Sequence, residues 1–142
     1  MVALSPKIFI DSSILLAFLN RVDINHIKSS QLLEFLGQQK FRAFTSSLAV
    51  MNTFNRAEKD LASAVAFDFL QAILESEIQI LYPEQGDFLA AYRLLRSSPN
   101  QQAGLTEIIN ARLMERHAIS NTLTFDPWHN LMGTNVSGLL QS

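Results

Sequence analysis

Two short apolar runs in this chain each end in an aspartate: Lys7-Ile-Phe-Ile leads into Asp11, and Thr122-Leu-Thr-Phe leads into Asp126. Runs rich in β-branched and aromatic residues read as buried strands. In parallel α/β sheets the carboxyl ends of the strands are where ligands bind. A further carboxylate, Glu107, falls in the first turn of a helix expected over Leu105–Met114, the element that leads into the Asp126 strand. Each of these acids alone has an ordinary use, Asp11 and Asp126 as helix caps and Glu107 as an acid at the positive end of a helix dipole. Converging at one sheet edge, they would repel one another unless a cation neutralised them. Oxygen donors with no Cys or His in the cluster suit a hard ion, Mg²⁺ or Mn²⁺. Such an ion polarises a phosphodiester and lowers the pKa of a bound water so that it attacks phosphorus. The chemistry this pattern points to is that of a nuclease.

The elements that must position these acids follow from the apolar pattern. Strands are expected at Lys7–Ile10, Phe41–Thr45, Ile78–Leu81 and Thr122–Phe125. Helices are expected over Ile14–Leu19, from about Asn25 to Leu36 with Gly37 just past the end, and from Ser46-Ser47 through Phe54. Further helices are expected over Asp60–Leu74, Phe88–Leu95 and Leu105–Met114. Strands alternating with helices predict an α/β domain with a mainly parallel central sheet flanked by helices. At 142 residues, with neither an internal repeat nor a linker, residues 1–142 are expected to form a single domain.

Composition narrows the function classes. The chain is 48% hydrophobic and 17% charged with a net charge of −2, which excludes wholesale disorder and a module that coats nucleic acid by charge alone. No cysteine is present, so disulfides, thiolate metal sites and thiol nucleophiles are excluded. The longest apolar run, Ile14–Leu19, is far too short to span a bilayer, and Pro6, Lys7 and Asp11 stand where a secretory signal would be apolar. No membrane association is expected, and the expected location is cytoplasmic. The absence of a Gly-rich phosphate loop argues against P-loop or Rossmann nucleotide binding. A phosphoryl-accepting aspartate of the haloacid-dehalogenase type would want a second Asp where Ser13 stands.

Other side chains have both a chemical and an ordinary reading. Thr45, Ser46 and Ser47 could bond a scissile phosphate or cap the helix they precede. Arg56, Arg112 and Arg116 could touch RNA phosphates or form solvated helix faces. His129, near Asp126 but beside Trp128 and without a second histidine, reads as a loop or partly packed residue. The acidic run Glu75, Glu77, Glu84 and Asp87 would repel RNA and is expected on a face away from the site. The many large apolar residues, among them Phe18, Leu32, Phe35, Leu36, Phe54, Phe67 and Phe69, predict a homodimer and a further apolar groove for a partner segment.

Taken in order, Asp11-Ser12-Ser13 after the first strand, Phe44-Thr-Ser-Ser-Leu-Ala-Val50, Gly104-Leu-Thr-Glu107 and Leu123-Thr-Phe-Asp126 resemble the PIN-domain ribonucleases. Within that family the chain is similar to the VapC-type toxins of bacterial toxin–antitoxin pairs, over about Lys7 to Gly133. The resemblance implies a three-layer PIN-like domain and a Mg²⁺- or Mn²⁺-dependent endoribonuclease whose catalytic and metal-binding residues are Asp11, Glu107 and Asp126. Ser12, Ser46, Asn52 and Arg112 are its implied substrate-binding residues, and an antitoxin protein its implied partner. The chain departs from the family pattern at two positions. Asn52 stands where a glutamate is usual, and Glu107 where an aspartate is usual. An amide brings neither charge nor a proton acceptor. That departure supports an alternative, a catalytically weakened PIN-like domain that binds RNA or protein without cleaving.

Overall fold

A computed structural model describes residues 5–98 and 103–126. In chain order its elements are β1 (Lys7–Ile10), α1 (Ser12–Leu19), α2 (His26–Gln38), β2 (Arg42–Ser46) and α3 (Ser47–Asp60). They continue with α4 (Ser63–Glu75), β3 (Gln79–Leu81), α5 (Gln85–Ser97), α6 (Leu105–Arg116) and β4 (Thr122–Leu123). The strands pair in parallel in the order β3-β2-β1-β4. The chain therefore steps outward from β1 through β2 to β3, then returns to add β4 on the other side of β1. That reversal opens a crevice beside the carboxyl end of β1, where an open α/β sheet binds ligands.

Alternation along β1 divides the core. Phe9 packs with Phe44, Ala91, Ile108, Ile109, Leu113 and Met114 on the face covered by α5 and α6. Ile8 and Ile10 point the other way, onto Ile14, Leu32, Phe69 and Ile73 from α1, α2 and α4. The result is the expected sheet between two helical layers. No helix among the described residues is long and apolar enough to cross a membrane.

Of the expected boundaries that move, three have a clear local reason. Helix α2 does not stop before Gly37. It runs through Gly37 to Gln38, and the residue that turns it is Lys40, at φ 57°. The Phe41 N–H reaches the Leu36 carbonyl at 3.1 Å there, so hydrogen bonding and the following strand hold a non-glycine residue in the left-handed region. Asp60 ends α3 and does not begin α4. Leu61 and Ala62 both donate to the Ala57 carbonyl, and the chain breaks there before Ser63. β4 ends at Leu123, because the Thr124 hydroxyl and the Phe125 and Asp126 N–H groups turn to side-chain partners and leave the sheet ladder.

The acidic run is the larger correction. Asp87 is 3% exposed, not a solvated charge. Its Oδ2 accepts from the Glu84 N–H at 2.8 Å and from Arg116 Nη2 at 2.8 Å, while Arg116 Nη1 lies 3.4 Å from Glu84 Oε1. Arg116, read as either an RNA contact or a solvated helix face, is instead the clamp between α6 and the start of α5. Burial pushes the Asp87 carboxyl pKa up, but the Glu84 N–H, the Arg116 hydrogen bond and the charges of Arg116 and Arg112 outweigh it and hold the pKa below 3.8.

A carboxyl with a depressed folded pKa contributes stability that is complete above its unfolded pKa and lost as pH falls through the folded one. Asp87→Asn should therefore cost about 1–3 kcal/mol at pH 7 in urea unfolding, the cost of breaking a buried charged hydrogen bond. The gap between variant and parent should narrow as pH falls below 3.8. A gap that stays constant from pH 7 to pH 3 would show that the Asp87 charge does not contribute.

Candidate functional site

Asp11 is the first residue past β1 and stands at the N-cap position of α1. Its backbone carbonyl accepts from Ile14 and Leu15, but its side chain makes no capping bond. At 5% exposure the carboxylate has lost nearly all its water and needs other donors. Two hydroxyls supply them: Thr124 Oγ1 at 2.7 Å and Ser13 Oγ at 3.1 Å, both on Oδ2. The hydroxyls are themselves held, since Phe125 N–H donates to Ser13 Oγ and Asp126 N–H donates to Thr124 Oγ1, each at 3.0 Å. Ser13 and Thr124 thus join the start of α1 to the chain leaving β4 and aim the Asp126 backbone past Asp11.

Glu107 keeps part of its ordinary role. One oxygen, Oε2, accepts from the Gly104 N–H at 3.1 Å and closes the first turn of α6. Its charge also reaches the strand ends. Burial first, then the neighbouring charges of Asp11 and Glu107, hold the Asp126 carboxyl pKa above 3.8. The structure therefore brings Asp126 within electrostatic reach of both Asp11 and Glu107 at the switch point.

It does not close them into a ligand shell. Among the described residues no three His, Cys, Asp or Glu side chains stand close enough to hold a metal ion as arranged. Asp11 is drawn to Ser13 and Thr124, and Glu107 to Gly104, while like charges keep the acids apart. The donor chemistry nevertheless fits a hard divalent ion, with oxygen donors only and a repulsion that a cation would relieve.

The remaining candidates separate clearly. Asn52 of α3 donates from Nδ2 to Ser12 Oγ at 2.9 Å, so both stand beside the N-terminus of α1, next to Asp11. Ser46 does not face the crevice. It is completely buried, its hydroxyl accepts from Ala49 N–H to cap α3 and donates to Asn110 Oδ1 at 2.6 Å, and it has no capacity left for a phosphate. Thr45 is likewise buried and donates to the Ile10 carbonyl. Arg112 lies about 140° around α6 from Glu107, and its charge also acts on Asp87 of α5. Arg56 pairs with Asp60 on the surface of α3. His26 Nδ1 contacts the Ala17 carbonyl, and His129 lies outside the described residues.

Asn110 is the residue that sequence reasoning missed. It follows Glu107 by one turn and is 1% exposed, and through Ser46 it ties the helix carrying Glu107 to the helix carrying Asn52. The signal was present: an amide amid Ile108, Ile109, Ala111 and Leu113 at a position the helix must bury.

The fold compares closely with solved structures. VapC20 from Mycobacterium tuberculosis, described as a toxin cleaving the sarcin–ricin loop, superposes with TM-score 0.79 at 18% identity, over 90% of this chain and 96% of that one. VapBC2 from Rickettsia felis, solved bound to a DNA fragment from its promoter, gives TM-score 0.67 at 14% identity, over 92% and 96%. PAE2754 from Pyrobaculum aerophilum gives 0.62 at 13%, over 95% and 90%. No curated protein sequence matches significantly. The PIN domain model matches residues 8–127, a span that begins in the strand leading to Asp11 and closes one residue after Asp126, and the chain belongs to the PIN domain family.

Proposed function

We propose that this PIN domain is a metal-dependent endoribonuclease of the VapC toxin type that hydrolyses RNA phosphodiester bonds. The observation that supports the reading most is the placement of Asp11 and Asp126 after the neighbouring strands β1 and β4 at the switch point, joined through Ser13 and Thr124. Asp11, Glu107 and Asp126 would hold Mg²⁺ or Mn²⁺, which when bound supplies Lewis-acid polarisation of the phosphate and a more acidic water. In this reading the hydroxyls of Ser13 and Thr124 orient the Asp11 carboxylate. Ser12 and the Asn52 amide, beside the α1 N-terminus, offer donors to a non-bridging phosphate oxygen. An antitoxin protein and a second copy of the chain are the proposed partners. Met51, Phe67 and Leu74 stand exposed on α3 and α4 and supply apolar surface for them.

A second reading, a PIN domain that binds RNA or protein with cleavage weakened or lost, is favoured by one observation: Asn52 brings a neutral amide, already bonded to Ser12, where the family usually has an acid.

Purified protein with Mg²⁺ or Mn²⁺ should cut a mixed single-stranded RNA, and Asp11→Asn should slow the cutting at least about 100-fold. Absence of cutting by the parent, with RNA still bound, would select the second reading.

Asn52→Glu adds a fourth carboxylate and should tighten Mn²⁺ binding in calorimetric titration, with faster RNA cutting in parallel. Unchanged affinity and unchanged cutting would remove Asn52 from the site.

Asp126→Asn should separate function from stability. The folded pKa of Asp126 lies above its unfolded value, so its ionisation opposes folding. That cost is absent below the unfolded pKa and complete above the folded one. The variant should therefore bind Mn²⁺ more weakly, yet melt higher than the parent in metal-free buffer at pH 7, with the gain disappearing near pH 3. A lower melting temperature at pH 7 would refute the repulsion.

A further inference from the structure

Helix α5 carries a stripe that neither the fold nor the carboxylate site uses. Phe88, Leu89 and Tyr92 are exposed, Tyr92 by 56%, and Arg93 and Arg96 stand on the same side one turn further on. The Arg96 guanidinium lies over the Tyr92 ring, 6.0 Å from its centroid. Neither Arg93 nor Arg96 forms an ion pair among the described residues. The only acid within α5, Asp87, is buried and neutralised by Arg116. On a chain of net charge −2, this is a locally basic, aromatic surface.

Its direction can be read from the same clamp. Asp87, at the start of α5, touches Arg116, at the end of α6, so the two helices run antiparallel. Arg96 lies nine residues after Asp87, and Glu107 nine residues before Arg116. At 1.5 Å per residue each step is about 13 Å along its helix. Arg96 and Glu107 therefore lie at the same end of the helix pair, and the stripe Phe88–Tyr92–Arg96 runs along α5 toward that end, where Leu105 is exposed in the first turn of α6.

We propose that this stripe is a platform for the single-stranded RNA flanking the scissile bond, with bases stacking on Tyr92 and Phe88 and phosphates meeting Arg93 and Arg96. The inference rests on the ribonuclease reading and extends it to residues outside the carboxylate site. Aromatic rings beside arginines suit single-stranded nucleic acid, because each base offers a face to stack and each linkage a charge to neutralise. Charge argues against a second copy as the occupant. A two-fold contact through the stripe would bring the arginines of both copies together with no exposed acid of α5 between them.

The test is binding of a fluorescein-labelled single-stranded oligoribonucleotide of mixed sequence by fluorescence anisotropy. The parent chain is used in EDTA so that the RNA stays intact, with cleavage in Mn²⁺ measured separately. Tyr92→Ala should weaken binding about 5- to 100-fold and Tyr92→Phe should restore it, because stacking needs the ring and not the hydroxyl. Arg93→Gln and Arg96→Gln should each lower the slope of log affinity against log salt by about 0.7, the value for one phosphate contact on a single strand. Melting temperatures within about 2 °C of the parent would confirm that these exposed substitutions leave the fold intact. If the parent binds and cuts RNA while all the variants bind as it does, the platform is wrong and the ribonuclease reading stands. If the parent neither binds nor cuts RNA, both fall. Variants that turn a dimer into a monomer by light scattering, with RNA affinity unchanged, would assign the stripe to a second copy and overturn the proposal.

Discussion

A carboxylate withdrawn from water must find hydrogen bonds to replace its hydration, and the carboxyl edge of this sheet is arranged around meeting that need at Asp11. The two donors come from elements far apart in sequence, Ser13 in the first turn of α1 and Thr124 just past β4. Each hydroxyl spends its one proton on Asp11 and accepts a backbone N–H from Phe125 or Asp126. The charge on Asp11 therefore shapes the exit of β4. It pulls Thr124 out of the strand ladder, shortens β4 and turns the chain so that Asp126 follows within reach of Asp11. The two strand-end acids are not independent features placed side by side, because the support of the first positions the second.

Two aspartates show how environment decides the sign of a charge. Asp87 is buried and Asp126 exposed, yet desolvation is the largest influence on each. At Asp87 the Glu84 N–H and the arginines of α6 outweigh it, so the charge binds α5 to α6 and strengthens the fold. At Asp126 the neighbours are Asp11 and Glu107, which add to the burial cost and leave the folded state carrying repulsion. The first arrangement is what a structural ion pair requires. The second carries a repulsion that a bound cation would relieve, which is the property the proposed site uses, whereas the α5–α6 cluster is a clamp.

Much of this was legible in the sequence, because alternation and helical spacing report burial directly. Ile8, Phe9 and Ile10 announce a strand buried on both faces, and four strands with six helices follow from the same reading. What stayed hidden depends on partners distant in sequence. Nothing near Asp87 shows that Arg116 will meet it, so the acidic run read only as a face away from the site. Nothing near Ser46 shows that Asn110 will take its proton, so a buried link between helices read as a phosphate ligand. The end of α2 was misjudged because Gly37 has the residue type that usually stops a helix, whereas long-range packing forces Lys40 into the turn. Composition and spacing name the acids that can converge, while the hydrogen bonds that aim them are tertiary.

The departures from the family pattern acquire a physical meaning within this balance. Each ionised group added beside Asp126 raises the repulsion in the metal-free fold and, in the reading proposed above, the attraction for a divalent ion by the same Coulombic interaction. In that reading an amide at position 52 trades affinity for stability. It removes one charge from the crevice and uses its Nδ2 donor to fasten α3 to Ser12 at the mouth of α1. Glu107 works in the same direction. With one more methylene than the usual aspartate, it can place an oxygen on the Gly104 N–H, closing its own helix, while its charge still acts on Asp126. Both substitutions shift the site from a dense cluster of carboxylates that depends on its cation toward one braced by local hydrogen bonds. The acid that then governs the geometry is Asp11, the one whose position is fixed by both α1 and β4.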